Sequence, residues 1–176
     1  MKLITIFGEK TNAVYAIHYN GQHCDELDRL FFLWSDIEYV KSYLQERKDL
    51  LAEAFRVGIS IEEAAWEIKI EAELMEDELK AHYRNGLLQS LFMPLRKGDA
   101  KIYVFQQTKS KSRSRRIWRP KLRIYAIRLA ANCYVITGGG IKLTKAMQDC
   151  PILMAELTKI KKCVAFLKQH KISEQL

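Results

Sequence analysis

Between residues 108 and 145 the chain sets out side chains suited to holding phosphate. Residues 108–116, TKSKSRSRR, alternate Lys109, Lys111, Arg113 and Arg115 with serine and threonine, end on Arg116, and contain no apolar residue. Arg119, Lys121, Arg123 and Tyr125 follow, then Gly138, Gly139 and Gly140, then Lys142 and Lys145. Ammonium and guanidinium groups on a flexible loop reach phosphates without fixed geometry, so residues 108–116 are read as an RNA-phosphate clamp. A phosphorylated regulatory loop and a solvated connector compete with that reading. The three glycines meet neither phosphate-loop fingerprint in its strand-to-helix setting, and a β-bulge or a kinked strand end is expected instead.

Charge is divided along the chain in the same sense. Residues 1–100 carry 12 Lys and Arg against 18 Asp and Glu, and residues 101–176 carry 17 against 3, so the formal net of +8 joins a half at −6 to a half at +14. Such asymmetry is the footprint of contact with nucleic acid or an anionic membrane, and nucleic acid is the favoured partner.

The elements that must position these residues are legible as periodicities. Residues 2–7 and 13–19 read as two strands of an antiparallel hairpin joined through residues 8–12. After the turn Asn20-Gly21, a helix beginning near Asp25 presents Leu27, Leu30, Phe31, Trp34, Ile37 and Val40 as a core stripe. A second helix opens at Ser60, where Glu63 completes a capping box, and buries Ile61, Ala64, Ala65, Ile68, Ala72, Met75 and Leu79. Its other side, Glu62, Glu67, Glu71, Glu73 and Glu78, reads most simply as a solvated acidic face, with a docking surface for a basic partner as the alternative.

Residues 101–107, KIYVFQQ, read as a strand. In the next strand Leu122, Ile124 and Ala126 alternate with Arg123, Tyr125 and Ile127, which puts Arg123 and Tyr125 on one face and Arg128 on the other. A turn at residues 130–132 leads to a strand over residues 133–137. A last helix from about Pro151 carries Leu153, Leu157, Ile160, Val164 and Leu167 at steps of four and three, with Lys159, Lys161, Lys162 and Lys168 around it.

With 48% hydrophobic residues the chain can bury a core as a single domain spanning residues 1–176. Within it, residues 1–100 form a hairpin and an acidic helical layer, and residues 101–176 a basic sheet and closing helix. Cys24, Cys133, Cys150 and Cys163 have no paired spacing, and His18, His23, His82 and His170 complete no metal pattern, so free thiols and no metal or cofactor are expected. No apolar run approaches the ~18 residues of a membrane span, and the start MKLITIFGEK lacks the apolar core of a secretion signal. The expected setting is the cytoplasm, with no membrane partner.

Residues 122–129 (LRIYAIRL), residues 133–145 (CYVITGGGIKLTK), and Pro151 leading into a helix with Glu156 resemble the phage-related HigB branch of the RelE-like toxin superfamily. The match covers about residues 117–168, while the preceding part agrees only in the order strand, helices, sheet. The resemblance implies an α+β fold, a small antiparallel sheet with N-terminal helices and a C-terminal helix. It also implies a ribosome-dependent endoribonuclease that cuts messenger RNA and is neutralised by a cognate antitoxin of a type II toxin-antitoxin system. That reaction needs no metal. The 2′-hydroxyl attacks the adjacent phosphate, so a site must orient it, stabilise charge on the phosphoryl oxygens and protonate the leaving oxygen.

By position, Arg123 would clamp the scissile phosphate, Lys142 and Lys145 would add stabilising charge, and Tyr125 would orient the hydroxyl or stack on a base, with sheet packing as the competing reading for Tyr125 and Tyr134 because aromatic residues favour strands. Arg116, Arg119 and Lys121, with Lys109, Lys111, Arg113 and Arg115 of the loop, would guide the RNA backbone. The family's histidine and acidic site residues have no clear counterpart, His170 and Asp149 being the nearest, so the general acid and base are unassigned. The acidic helical region at residues 25–95 is an insertion relative to the compact toxins and could cover the site, bind a partner or replace antitoxin contacts. Two other functions stay open: a non-catalytic RNA- or ribosome-binding module or inactive relative, and a ParE-like inhibitor of a DNA-processing enzyme.

Overall fold

A computed structural model describes residues 1–96, 102–144 and 151–172, the last without the side chains of residues 151–153. Lys101, Lys145, Asp149, Cys150 and the side chain of Leu153 therefore lie outside the described residues. The chain begins with β1 (Lys2–Glu9) and β2 (Asn12–His18), paired antiparallel as expected, with the connection tightened to Lys10 and Thr11. Lys10 adopts φ 53°, the left-handed conformation that lets so short a turn close.

The helix expected from Asp25 is two helices. Asp25 caps α1 (Glu26–Ser35) by accepting hydrogen bonds from the Leu27 and Asp28 amides at 2.9 and 3.2 Å. Asp36 then repeats the device for α2 (Ile37–Gln45), accepting from Glu38 and Tyr39 at 3.0 and 3.1 Å. An aspartate that captures two amides competes with helix continuation, which is why one apolar periodicity becomes two helices. The short α3 (Leu51–Ala54) precedes α4 (Ile61–Arg84), where Ser60 and Glu63 form the expected capping box and Ala64, Ala65, Ile68, Ala72, Met75 and Leu79 are buried. A single turn, α5 (Leu88–Leu91), leads to β3 (Met93–Pro94).

The strand expected at residues 101–107 begins only at Gln106, as β4 (Gln106–Ser110). Phe105 sits at φ 64°, ending any extended run, and Ile102, Tyr103 and Val104 before it are exposed. β4 therefore takes in the first part of the supposed flexible loop. Alternation of hydroxyl and cationic residues is itself a period-two pattern: Thr108 and Ser110 point inward and are buried, while Lys109 points to the other face. Thr108 Oγ1 donates to the Ala126 carbonyl at 2.9 Å. β5 (Leu122–Ala130), β6 (Asn132–Ile141) and α6 (Pro151–Gln169) complete the chain.

The result is a mixed α+β fold with a six-stranded sheet ordered β1-β2-β6-β5-β4-β3, antiparallel except that β2 and β6 run parallel. The sheet is larger than the small antiparallel one expected, and it is covered on both faces. The helices between the hairpin and β3 pack on Val14, Ala16, Ile124, Ala126 and Ile136. On the opposite face α6 buries Tyr15, Tyr125, Ile127 and Val135 under Ile160, Cys163 and Leu167. Because α6 packs chiefly on β6 and β5, the cations carried by β4 and its extension stay accessible on that face. No helix among the described residues is long and apolar enough to cross a membrane.

The glycine triplet lies in β6, at the expected irregularity. Tyr125 pairs with Gly138 and Ala126 with Ile136, which leaves Thr137 as the extra residue of a bulge. Its carbonyl accepts from the Tyr19 hydroxyl at 2.7 Å. The glycines serve close approach: a Cβ on Gly139 would collide with the Arg123 carbonyl and come within 2.8 Å of Leu30 Cδ1, and one on Gly138 would collide with the Glu156 carboxylate. Gly139→Ala should lower stability by roughly 1–3 kcal/mol through overpacking, read as a lower urea midpoint with an unchanged denaturant slope.

Candidate nucleic-acid interface

The supposed solvated face of α4 is where the basic segment is anchored. Glu71 is 1% exposed and accepts from the Lys121 and Leu122 amides at 2.9 and 2.8 Å. Burial pushes its carboxyl up to about 7, against the opposing pull of those two hydrogen bonds and of Arg123 and Lys121. Two turns on, Glu78 accepts from Ser112 Oγ at 3.1 Å and, through both oxygens, from the Arg113 amide at 3.0 Å. Glu67 pairs with Arg56 and approaches Lys121 Nζ at 4.0 Å. Positions 67, 71, 74 and 78 share one face of a helix, so an acidic run with that spacing can secure a neighbouring strap at several points. The strap, residues 111–121, is thus pinned near both ends.

Anchoring presents the cations around two adjoining hollows. A cleft of about 390 Å³ is lined by Glu53, Lys111, Arg119, Lys121, Arg123, Lys142 and Thr144, among others. A smaller hollow of about 70 Å³, bordered by Leu91, Met93, Lys109, Lys111, Arg113 and Arg123, shares Lys111 and Arg123 with it. Arg123 is held from behind, its Nη1 donating to the Pro120 and Leu122 carbonyls at 2.9 and 2.6 Å. Burial draws its proton affinity down, with Glu71 opposing, and it stays a cation. Lys142 Nζ donates to the Thr144 carbonyl at 2.7 Å, and its amide donates to the Lys121 carbonyl at 2.8 Å. Both are therefore preorganised rather than waving in solvent.

Of the residues singled out from the sequence, Lys109, Lys111, Arg113, Arg119, Lys121, Arg123 and Lys142 converge here. Lys121 is a wall rather than a surface guide: it is 3% exposed, donates to the Trp118 carbonyl at 2.8 Å and lies 4.2 Å from the Phe55 ring centroid. Arg115 is exposed and borders neither hollow, and Arg116 lines a different cleft beside α4. Tyr125 shares the face of Arg123 as expected, but its side chain is fully buried beneath α6, in packing contact rather than open to a ligand.

α6 is fastened in that position by a buried ionic cluster. Lys159 Nζ bridges Glu26 at 3.2 Å and Glu156 at 2.9 Å, and Glu26, fully buried, also takes two hydrogen bonds from Arg29. Burial pushes the Glu26 carboxyl up, but Arg29 and Lys159 outweigh it and hold it below the usual range. At Glu156 burial dominates and the carboxyl is raised.

Glu53 was not distinguishable in the sequence. It sits on α3 inside the acidic half, yet among the described residues it is the acidic residue that borders the cationic cleft. No local pattern marks it, since only the packing of α3 against the Arg119–Lys121 turn brings it there, with Arg119 Nη1 donating to the Glu53 carbonyl at 3.2 Å. Among the described residues no group of three or more His, Cys, Asp and Glu is placed to hold a metal ion. Compared with known proteins, the chain matches no family model, no curated protein and no solved structure.

Proposed function

We propose that this protein is a toxin-like endoribonuclease that grips single-stranded RNA in the cationic cleft and cuts it by attack of the 2′-hydroxyl on the neighbouring phosphate. The observation that carries the reading is the convergence of Arg123 and Lys142, both held by backbone carbonyls, with Lys111, Arg119 and Glu53 around one cleft. A phosphate seated between Arg123 and Lys142 has its developing negative charge stabilised by groups already in place. Glu53 takes the proton of the 2′-hydroxyl as that oxygen bonds to phosphorus. The bond from phosphorus to the 5′-oxygen breaks, and the leaving oxygen takes a proton from the Lys111 ammonium. The products are a 2′,3′-cyclic phosphate and a 5′-hydroxyl. Lys109 and Arg113 hold flanking phosphates.

Membership of the HigB branch of RelE-like toxins, the ribosome as the place of cutting, and an antitoxin partner are supported by the resemblance of residues 117–168. The order strand, helices, sheet, helix agrees with it. Inducible expression in a bacterial host, with growth followed and new 5′ ends of messages mapped within minutes, tests the reading. Arrest with cuts inside translated messages supports it. Normal growth with intact messages despite folded protein, together with salt-dependent RNA binding, would replace it by the non-catalytic binding module. Glu53→Gln should lower the cleavage rate on the order of 100-fold with RNA affinity unchanged, as loss of a general base requires.

A further inference from the structure

A second cleft, of about 490 Å³, opens between α4 and residues 116–121. Its lining combines flat or aliphatic surface from Trp118, Ile117 and Ile70 with the charged ends of Arg56, Arg116 and Glu67, and Lys121 forms a wall common to it and to the cationic cleft. Trp118 is 57% exposed and Ile70 46%, although both lie against charged neighbours. Arg119 stacks 4.5 Å from the Trp118 ring centroid, which stiffens the indole as a platform. The volume lies in the ~300–1,000 Å³ range of small-molecule sites.

We infer that this cleft receives one nucleobase of the RNA whose backbone occupies the neighbouring cationic cleft, with Trp118 as the stacking surface and Glu67 as the acceptor for a base amino group. The inference rests on the function proposed above. A nucleobase needs apolar surface for its face, a hydrogen-bonding group at its edge and cations for the phosphates beside it, and this cleft supplies all three within the reach of adjoining nucleotides. An apolar peptide side chain would leave Arg116 and the outer edge of the Arg56–Glu67 ion pair facing it without a polar partner. Because an exocyclic amine donates to a carboxylate and uracil has none, adenine and cytosine should be preferred to uracil.

The test measures binding of fluorescein-labelled RNA hexamers of A, C and U, and of a hexamer lacking all bases, to the full chain. Trp118→Ala should weaken the A and C hexamers by roughly ten-fold or more while leaving the abasic hexamer unchanged, and Trp118→Phe should recover part of the loss. Glu67→Leu should erase the preference over U. Arg123→Ala with Lys142→Ala should weaken every hexamer, the abasic one included. Base-containing hexamers bound equally well by wild type and Trp118→Ala would overturn the base cleft and leave the phosphate cleft standing. A wild-type chain that binds no hexamer would overturn both. The thermal transition of each variant, expected unchanged for exposed Trp118, separates lost binding from lost folding.

Discussion

Replacing Arg123 by alanine should slow RNA cleavage by about 100- to 1,000-fold, and adding Lys142→Ala should cost far less than a second such factor. The size follows from what the two side chains supply. Attack on a phosphate diester concentrates negative charge on the phosphoryl oxygens, and removing one prepositioned donor from such a site costs about 3–4 kcal/mol in the transition state. Arg123 fits that role because its Nη1 is tied to the Pro120 and Leu122 carbonyls, so the guanidinium loses little freedom on meeting a phosphate.

Lys142 is braced similarly by the Thr144 carbonyl. Two groups acting on one phosphate form a unit, and their effects fall short of additivity. Lys109→Ala and Arg113→Ala should behave differently. Each should weaken binding at all sequences alike and reduce the salt dependence of affinity by about 0.7 in the logarithmic slope for single strands. Cleavage and salt-titrated binding of one labelled RNA check both statements, and an Arg123→Ala chain that still cuts at the wild-type rate would remove this cleft as the reaction site.

Glu71→Gln should flatten the pH dependence of stability between pH 5 and 8. The carboxyl ionises near its ordinary 4.5 in the unfolded chain and near 7 when buried at the start of β5. The folded protein therefore holds this proton more tightly, and its contribution is fully present below pH 4.5 and is lost as pH rises through 7. The shift corresponds to about 3 kcal/mol over that window. Glutamine does not titrate, and although its NH2 cannot accept from one of the two amides that Glu71 holds, that loss does not vary with pH, so the variant should gain on wild type by up to about 3 kcal/mol between pH 5 and pH 8. Urea unfolding of both proteins across this range measures the difference. Parallel curves would show that Glu71 is not the titrating group. Comparing wild type with the variant cancels the raised Glu156 and the lowered Glu26, which respond to pH in opposite senses.

The two predictions meet at one junction, since Glu71 fixes the Lys121 and Leu122 amides immediately before Arg123. The junction was half legible. Arg123 and Lys142 stand out through the positions they share with the toxin family that residues 117–168 resemble, and β5 and β6 are readable as apolar strands. Glu71 is indistinguishable in sequence from Glu73, two residues away and exposed. Only the passage of residues 120–122 beneath α4 makes one a buried anchor and leaves the other in water. The Lys/Ser alternation misleads for a related reason: polarity alone suggests a loop, but serine and threonine are small enough to be buried when a carboxylate or carbonyl receives their hydroxyls, as Glu78 and Ala126 do.

By itself, the sequence determined what depends on neighbours along the chain: the hairpin, the capping box at Ser60 and Glu63, the apolar faces of the helices, the bulge near the glycines, and a strongly basic second half. Those features follow from side-chain period, local hydrogen bonds and composition. The tertiary structure alone decided what depends on contacts far apart in sequence. α6 crosses β5 and β6 and hides Tyr125, α3 brings Glu53 to the cations, and α4 turns part of its acidic face into the clamp of a basic strap. A side chain's burial, its proton affinity and its access to a ligand are set by what packs over it, and that is chosen by the whole core rather than by its own segment.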